Sequence, residues 1–241
     1  MGTVHLNLSL QMKGRSMEKH ITMYKYKNRW ISYFDLLGFQ KLVEKTDLSL
    51  IIQDYEKILD DLELKTSEKK KFGIDYSWFS DTFLIFAKDD SLESFTLIEQ
   101  ASRLFFQRLI SRNIPLRGAL TVGELYTQKD KNIFLGKGII DAYKYGEGQN
   151  WIGFILTPGA YMRLKETNLD LEHRLYYRRI IDPKIIKHPD RQNVFAFTMN
   201  ALLVNNQNLC LEAILRMKEL VKPEYRDKYQ NTENFIISSA S

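Results

Sequence analysis

The chain has little cysteine: Cys210 is the single one in 241 residues, which excludes an intrachain disulfide and a cysteine-built zinc site. It falls in an apolar helical pattern, so a buried and inert thiol is expected. Long apolar runs are missing too. None approaches the length of a membrane span, and the first sixteen residues lack the apolar core of a secretory signal. A soluble, cytoplasmic protein with no membrane partner is expected, with residues 1–22 as a flexible leader and Met17 as an alternative start. Charge of one sign is scarce as well. Lys and Arg number 35 against 30 Asp and Glu, a net +5 spread along the chain, with only short clusters at Lys69–Lys71 and Arg178–Arg179 that read as solvated turns. Without a basic stripe, helix-turn-helix pattern or zinc motif, nucleic acid is not expected as a partner. Internal repeats and low-complexity segments are absent. At 44% hydrophobic, the chain has the composition to bury a sizeable core as one large domain or one domain with an extension.

What is present centres on Trp30–Lys41, WISYFDLLGFQK. The aromatic and aliphatic run Ile31–Phe34 reads as a buried strand. Asp is disfavoured inside strands, so Asp35 is expected where the strand ends. Gly38 follows, with a helix from about Gln40. Two readings stand side by side. Either Asp35 caps and Gly38 turns the chain, or the carboxylate holds Mg²⁺ while the glycine turn and helix start hold phosphates.

Apolar positions from Leu42 to Leu62 recur at helical spacing, with a break near Thr46-Asp47. Glu68–Lys71 and Gly73 mark a turn. Phe72–Phe79 and Thr82–Ala87 read as strands separated only by Ser80-Asp81, hence an antiparallel hairpin. Leu92–Ile110 reads as a long helix stopped by Asn113 and Pro115. Leu116–Val122 reads as a strand, turned by Gly123-Glu124 toward Leu125-Tyr126, with a charged loop at Gln128–Asn132. Ile139–Tyr145 reads as a short helix closed by Gly146 and Gly148. Trp151–Leu156 reads as a strand, and Thr157-Pro158 caps a helix through Lys165. Arg178–Ile181 and Val194–Phe197 read as paired edge strands, Leu209–Val221 as a helix, and the Ser-rich tail beyond Asn231 as frayed.

This order predicts an α+β, ferredoxin-like βαββαβ core, with a mixed, mainly antiparallel sheet, helices on one face and a C-terminal extension. The first strand and the hairpin strands are expected side by side at the sheet centre. Asp35 and the hairpin-tip Asp81 then converge at one end of the sheet. Carboxylates that close repel unless cations bridge them, and two Mg²⁺ or Mn²⁺ ions would relieve the repulsion and bind a nucleoside triphosphate. The alternative is that Asp81 only serves its turn.

With both acids placed, the sequence resembles the class III nucleotidyl cyclases. YFDLLGF is similar to their F-x-D-[IL]-x-G-F stretch. WFSDTFLIF resembles their hairpin-tip motif, with Ser80 where glycine is usual. IPLRGALTVGELY resembles their R-x-G strand, and FLGKGIIDAY the segment opening their next helix. The resemblance implies that Asp35 and Asp81 bind two Mg²⁺ or Mn²⁺ ions per site, aided by the Leu36 carbonyl. It implies that the N–H groups of Leu37, Gly38 and Phe39 cradle the triphosphate. It also implies a homodimer with active sites at the interface, and attack of a ribose 3′-oxygen on the α-phosphate to give a 3′,5′-cyclic nucleotide and pyrophosphate.

Two departures from the family pattern stand out. The Asn and Arg expected four residues apart on the next helix are Ile140 and Lys144, so Lys144 is the candidate catalytic cation without the fork of Arg. The purine-selecting Lys is Ser77, and Tyr76, Ser77 and Trp78 then suit a pyrimidine or merely pack the strand. This combination resembles the compact stand-alone pyrimidine cyclases of bacterial anti-phage defence, whose product is read by a separate effector. UTP is expected before CTP. In that reading Arg117 contacts the nucleotide, unless it is a strand-edge charge in water. The catalytic core is expected over residues 23–166 and an α/β extension over 167–241. The alternatives are a purine (ATP or GTP) cyclase and a catalytically degenerate cyclase fold that only binds nucleotide.

Overall fold

The computed structural model describes residues 26–67, 73–171, 176–180, 182–199 and 207–239. The expected leader, the turn at Glu68–Lys71, and Phe72 and Ile181 at two expected strand ends lie outside them. Strand β1 (Lys27–Leu36) runs between β3 (Thr82–Ala87) and β4 (Leu116–Gln128), antiparallel to both. β2 (Ile74–Phe79) pairs only with β3 and forms the sheet edge, so β1 and β3 are central but the other hairpin strand is not. The path through the sheet is β2-β3-β1-β4-β6-β8-β7, where β6 is Gly153–Leu156, β7 Tyr177–Arg179 and β8 Phe195–Phe197. β5 (Ile133–Leu135) folds back on β4 off this path. The first four strands in this order, with the helices between them, make the ferredoxin-like core of an α+β fold. β8 and β7 continue the same sheet past β6, so β8 is interior and β7 is the edge.

Alternation along β1 sorts its side chains onto two faces. Trp30 and Phe34 meet Phe95 and Phe105 of α3 (Leu92–Ser111) at ring distances of 5.0 Å each, and Ser32 bonds Ser102 at 2.7 Å. On the opposite face Ile31 and Tyr33 pack with Ala142 of α4 (Lys137–Glu147). Thus α4 covers the face that the core helices leave open.

α4 sits close because glycines make room. A Cβ on Gly123 would lie 2.8 Å from the Gly138 Cα, and one on Gly136 would lie 2.0 Å from the Glu124 carbonyl oxygen. Gly123 therefore does not turn the chain. It remains in strand, opposite Arg29, and β4 continues through Gln128.

The break near Thr46-Asp47 separates α1 (Phe39–Lys45) from α2 (Leu48–Ser67). Ser91 caps α3 through the Ser94 N–H, and Thr157 caps α5 (Pro158–Glu166) through the Ala160 N–H. α6 (Gln207–Leu220) holds Cys210 buried, with its thiol pushed up to about 11 by burial. Through Ser239 the tail beyond Asn231 is helical, not frayed. Arg226–Ser239 forms α7, with Tyr229, Thr232, Phe235 and Ile236 buried. Among the described residues no helix is long and apolar enough to cross a membrane.

Two substitutions test this packing. Gly136→Ala forces α4 off the Glu124 carbonyl and is expected to cost on the order of 1–3 kcal/mol in urea unfolding. Ser80, at φ 56°, occupies the left-handed region in the hairpin turn. Ser80→Gly is therefore expected to be neutral or stabilising by up to about 1 kcal/mol, since relief of backbone strain exceeds glycine's extra chain entropy.

Candidate active site

β3 and β4 both begin where β1 ends: Asp35 lies opposite Thr82 on one side and Arg117 on the other. Asp35 is the penultimate strand residue, one short of the end. Its side chain points to the α4 face and is only 14% exposed. Arg117, 12% exposed, donates from Nε to Asp35 Oδ2 at 2.8 Å. Its Nη1 donates to the carbonyls of Glu147 (2.8 Å) and Gln149 (3.1 Å), and its Nη2 pairs with the Glu147 carboxylate. Four of the five guanidinium N–H groups are thereby used inside the protein. Arg117 is therefore not a strand-edge charge in water: it holds Asp35, and one guanidinium N–H is left over.

Tyr33 closes the arrangement, its hydroxyl donating to Glu147 Oε1 at 3.2 Å. Burial first, then the charges of Asp35 and Glu147, push the Tyr33 phenol up, so it remains a donor. The Asp35 carboxyl is also raised above its ordinary value. Burial is the largest cause and Arg117 opposes it, while Glu147 and Asp81 add to it.

Asp81 reaches this end through its backbone as well: its carbonyl accepts from the Leu36 N–H at 2.9 Å. The Trp78 indole donates to the Ser80 carbonyl at 3.0 Å and braces the turn. Gly38 has φ 74° and opens α1, and a Cβ there would meet nothing within 4 Å. Its conformation calls for glycine, and the space above the turn is open. The Leu37 N–H is already donated to the Pro115 carbonyl at 2.8 Å. Gly38 and Phe39 are then the members of the expected cradle at the start of α1, where a helix leaves N–H groups over. In the field of Asp81, the hydroxyl of Tyr55 on α2 is buried with no hydrogen-bond partner among the described residues, and burial and the Asp81 charge raise its phenol. Nothing in the spacing of α2 singled it out.

Other expected residues are dispersed. Lys144 lines an open cleft of about 370 Å³ with Val122, Gly123, Lys137 and Asp141, away from the two acids of its own chain. Ile140 joins that cleft to a second, apolar one of about 310 Å³ lined by Tyr33, Thr82, Leu84 and Tyr143. Ser77 stands opposite Leu84. Tyr76 and Trp78 project to the other face, where Trp78 stacks on Tyr55 at 3.8 Å and Tyr76 on Phe83 at 5.8 Å. For Tyr76 and Trp78 the packing reading holds.

Lys228, from α7, is the basic residue that sequence pattern missed. Burial first, then the charges of Arg117 and Lys187, lower its ammonium below the ordinary lysine value, while Asp35 and Glu147 pull the other way.

Arg117 pairs with the carboxylates of Asp35 and Glu147, and Asp81 adds a third negative charge in the field of Asp35. Among the described residues no group of three or more His, Cys, Asp or Glu forms a metal cage. The oxygen-only set of Asp35, Asp81 and the Leu36 carbonyl, with an unpartnered Tyr55 hydroxyl beside it, fits a hard ion that keeps water or phosphate ligands, as Mg²⁺ and Mn²⁺ do.

No protein-family model and no curated protein matches the sequence. Solved structures do match the fold. The catalytic core of a rhodopsin-guanylyl cyclase with converted specificity, in complex with ATPαS, superposes with TM-score 0.54 at 10% identity over 71% of this chain and 96% of that one. A monomeric double mutant of the guanylyl cyclase domain of RhoGC from the aquatic fungus Blastocladiella emersonii gives 0.53 at 12% identity, over 71% and 94%. The guanylate cyclase domain of RhGC from Catenaria anguillulae, in complex with GTP, gives 0.50 at 10% identity, over 71% and 96%. The chain has the fold of these cyclase domains.

Arg117→Met strands two carboxylates and is expected to cost about 3–5 kcal/mol in urea unfolding. Asp35→Asn is expected to cost less, because burial already disfavours the ionised carboxyl. A raised carboxyl pKa means that the folded state holds its proton more tightly. That stability is fully present below the ordinary aspartate value of 3.8 and is lost as pH rises through the higher folded value. In metal-free buffer the melting temperature of wild type minus that of Asp35→Asn is therefore expected to fall across that window. A difference that rises with pH instead would show that Arg117 outweighs burial.

Proposed function

We propose that this chain is a nucleotidyl cyclase that converts a pyrimidine nucleoside triphosphate, UTP before CTP, to its 3′,5′-cyclic nucleotide and pyrophosphate. The observation that carries the reading is the meeting of Asp35 and Asp81 beside the Gly38 turn, in a chain with the cyclase-domain fold. Asp35, Asp81 and the Leu36 carbonyl would hold two Mg²⁺ or Mn²⁺ ions. Bound there, they would acidify the ribose 3′-hydroxyl and neutralise phosphate charge. The protein's own part is to position. Arg117 fixes the Asp35 carboxylate, Tyr33 fixes Glu147, and the N–H groups of Gly38 and Phe39 receive phosphate oxygens. The 3′-oxygen forms a bond to the α-phosphorus as the bridging α–β bond breaks.

Pyrimidine choice is supported by Ser77, a small polar residue on the open face where the purine-reading cyclases carry a lysine. The apolar cleft beside it takes a planar base against Tyr33, Leu84 and Ile140. The site is completed by a second copy of the chain. Phe79 at the hairpin tip is 81% exposed, and Ile140 on α4 is 53% exposed, an apolar surface bordering the acids. Lys144 lies in the other cleft of its own chain, so it serves the acids of the partner copy. In the resemblance to anti-phage cyclases, the cyclic product is a second messenger for a separate effector. The exposed Ile140, with no polar group to offer, favours a second reading, in which the fold binds nucleotide without turning it over.

The test is a panel of UTP, CTP, ATP and GTP with Mn²⁺, read as cyclic nucleotide and pyrophosphate. UTP is expected to be consumed fastest. ATP or GTP as the preferred substrate would replace the pyrimidine assignment, and binding without product would establish the second reading. Asp81→Ala is expected to lower kcat about a hundredfold or more with its melting temperature kept. Mixing inactive Asp81→Ala with inactive Lys144→Ala chains is expected to restore activity to about a quarter of wild type, since half the dimers then carry one intact site. No recovery on mixing would remove the shared site.

A further inference from the structure

We infer that Lys228 of the C-terminal helix is a phosphate-binding residue of this site, its ammonium directed at the polyphosphate of a nucleoside triphosphate. The inference rests on the cyclase reading for the identity of that ligand. Its geometric basis is independent of that reading.

α7 is pinned to the segment Asn150–Ile152, and the turn before it touches α1. Thr232 Oγ1 accepts from the Ile152 N–H at 2.8 Å, and Asn231 donates to the Asn150 carbonyl at 2.9 Å. Phe235 meets Trp151 edge-on at 4.8 Å. Ile152 directly precedes Gly153, which is in register with Arg117 across the β4–β6 pair. Just before α7, Tyr225 lies beneath the Lys41 ammonium, 5.4 Å from nitrogen to ring centroid. Lys41 is in the first turn of α1, three residues after Gly38. The opening turn of α7 therefore lies between a contact to the first turn of α1 and contacts to the residues just before β6.

Lys228 lies in that opening turn, on the same side as Asn231 and Thr232, and its backbone carbonyl accepts from the Thr232 hydroxyl at 2.9 Å. Its side chain is half-buried, within the fields of Arg117, Asp35, Lys187 and Glu147. Among the described residues no acceptor or carboxylate engages its ammonium.

The two basic groups thus differ in what they can do. Arg117 spends its donors on the protein. Lys228 keeps three unassigned N–H groups on a flexible stem beside the helix start that would receive phosphate. A half-buried ammonium with no protein partner calls for an anion.

The probe is inorganic tripolyphosphate with Mn²⁺, titrated into the full chain by calorimetry. Lys228→Met, which keeps the apolar stem, is expected to weaken binding about tenfold, and Lys228→Arg to restore most of it. The exposed Lys184→Met serves as control and is expected to change nothing. Wild-type affinity in Lys228→Met overturns the inference, as does a wild type that binds no tripolyphosphate. Should Lys228→Met melt early, acetylation of the wild-type protein decides. Tripolyphosphate is expected to protect Lys228 and not Lys184, and equal labelling of Lys228 with and without it overturns the inference. Binding through Lys228 without cyclic product removes the cyclase reading and keeps this one. Cyclic product with unaltered affinity in Lys228→Met does the opposite.

Discussion

The ion pair between Arg117 and Asp35 is the interaction on which the rest of the site depends. A carboxylate at the end of a central strand, largely out of water, is costly to keep charged. Arg117 offsets that cost from the adjacent strand. Because its remaining donors bind the carboxylate and carbonyl of Glu147, the last residue of α4, and the Gln149 carbonyl just past it, the same guanidinium fastens α4 to the sheet. The orientation of Asp35 and the seating of α4 are therefore one structural decision. The compensation is incomplete: burial is the largest cost, and Glu147 and Asp81 add to it.

The meeting of the acids follows from antiparallel pairing. β3 and β4 both start at the level where β1 finishes, so the hairpin tip, the Gly38 turn and the buried end of β4 must share one edge. The hydrogen bond from Leu36 to the Asp81 carbonyl locks that level. Stability and chemistry separate by face. The aromatic cluster around Phe83 and Phe105, stacked at 4.0 Å, lies toward α3, while the polar groups lie toward α4. The scaffold lies on one side, and the two clefts beside α4 lie on the other.

Much of this was legible from local pattern. The hairpin around Ser80-Asp81, the Thr157 cap and the break before α2 follow from turn and cap chemistry carried by a few neighbouring residues. Three features were not legible. Gly123 reads as a turn, but its smallness serves the approach of Gly138, a contact made across elements. α7 reads as a polar tail because its inward positions are few, and they gain meaning only against Trp151 and Ile152. Arg117 reads as a charge for a ligand or for water, because the residues that consume its donors lie up to 82 positions away.

The sequence by itself determined the element order of the ferredoxin-like core and the two candidate acids, since periodicity, turn residues and strand-breaking carboxylates act within a few residues. Only the tertiary structure decided which charges meet. It committed Arg117 to Asp35, brought Lys228 beside them from the far end of the chain, and left Lys144 on a different cleft. Electrostatic fields and burial act through space across segments remote in sequence, and no local pattern encodes those distances.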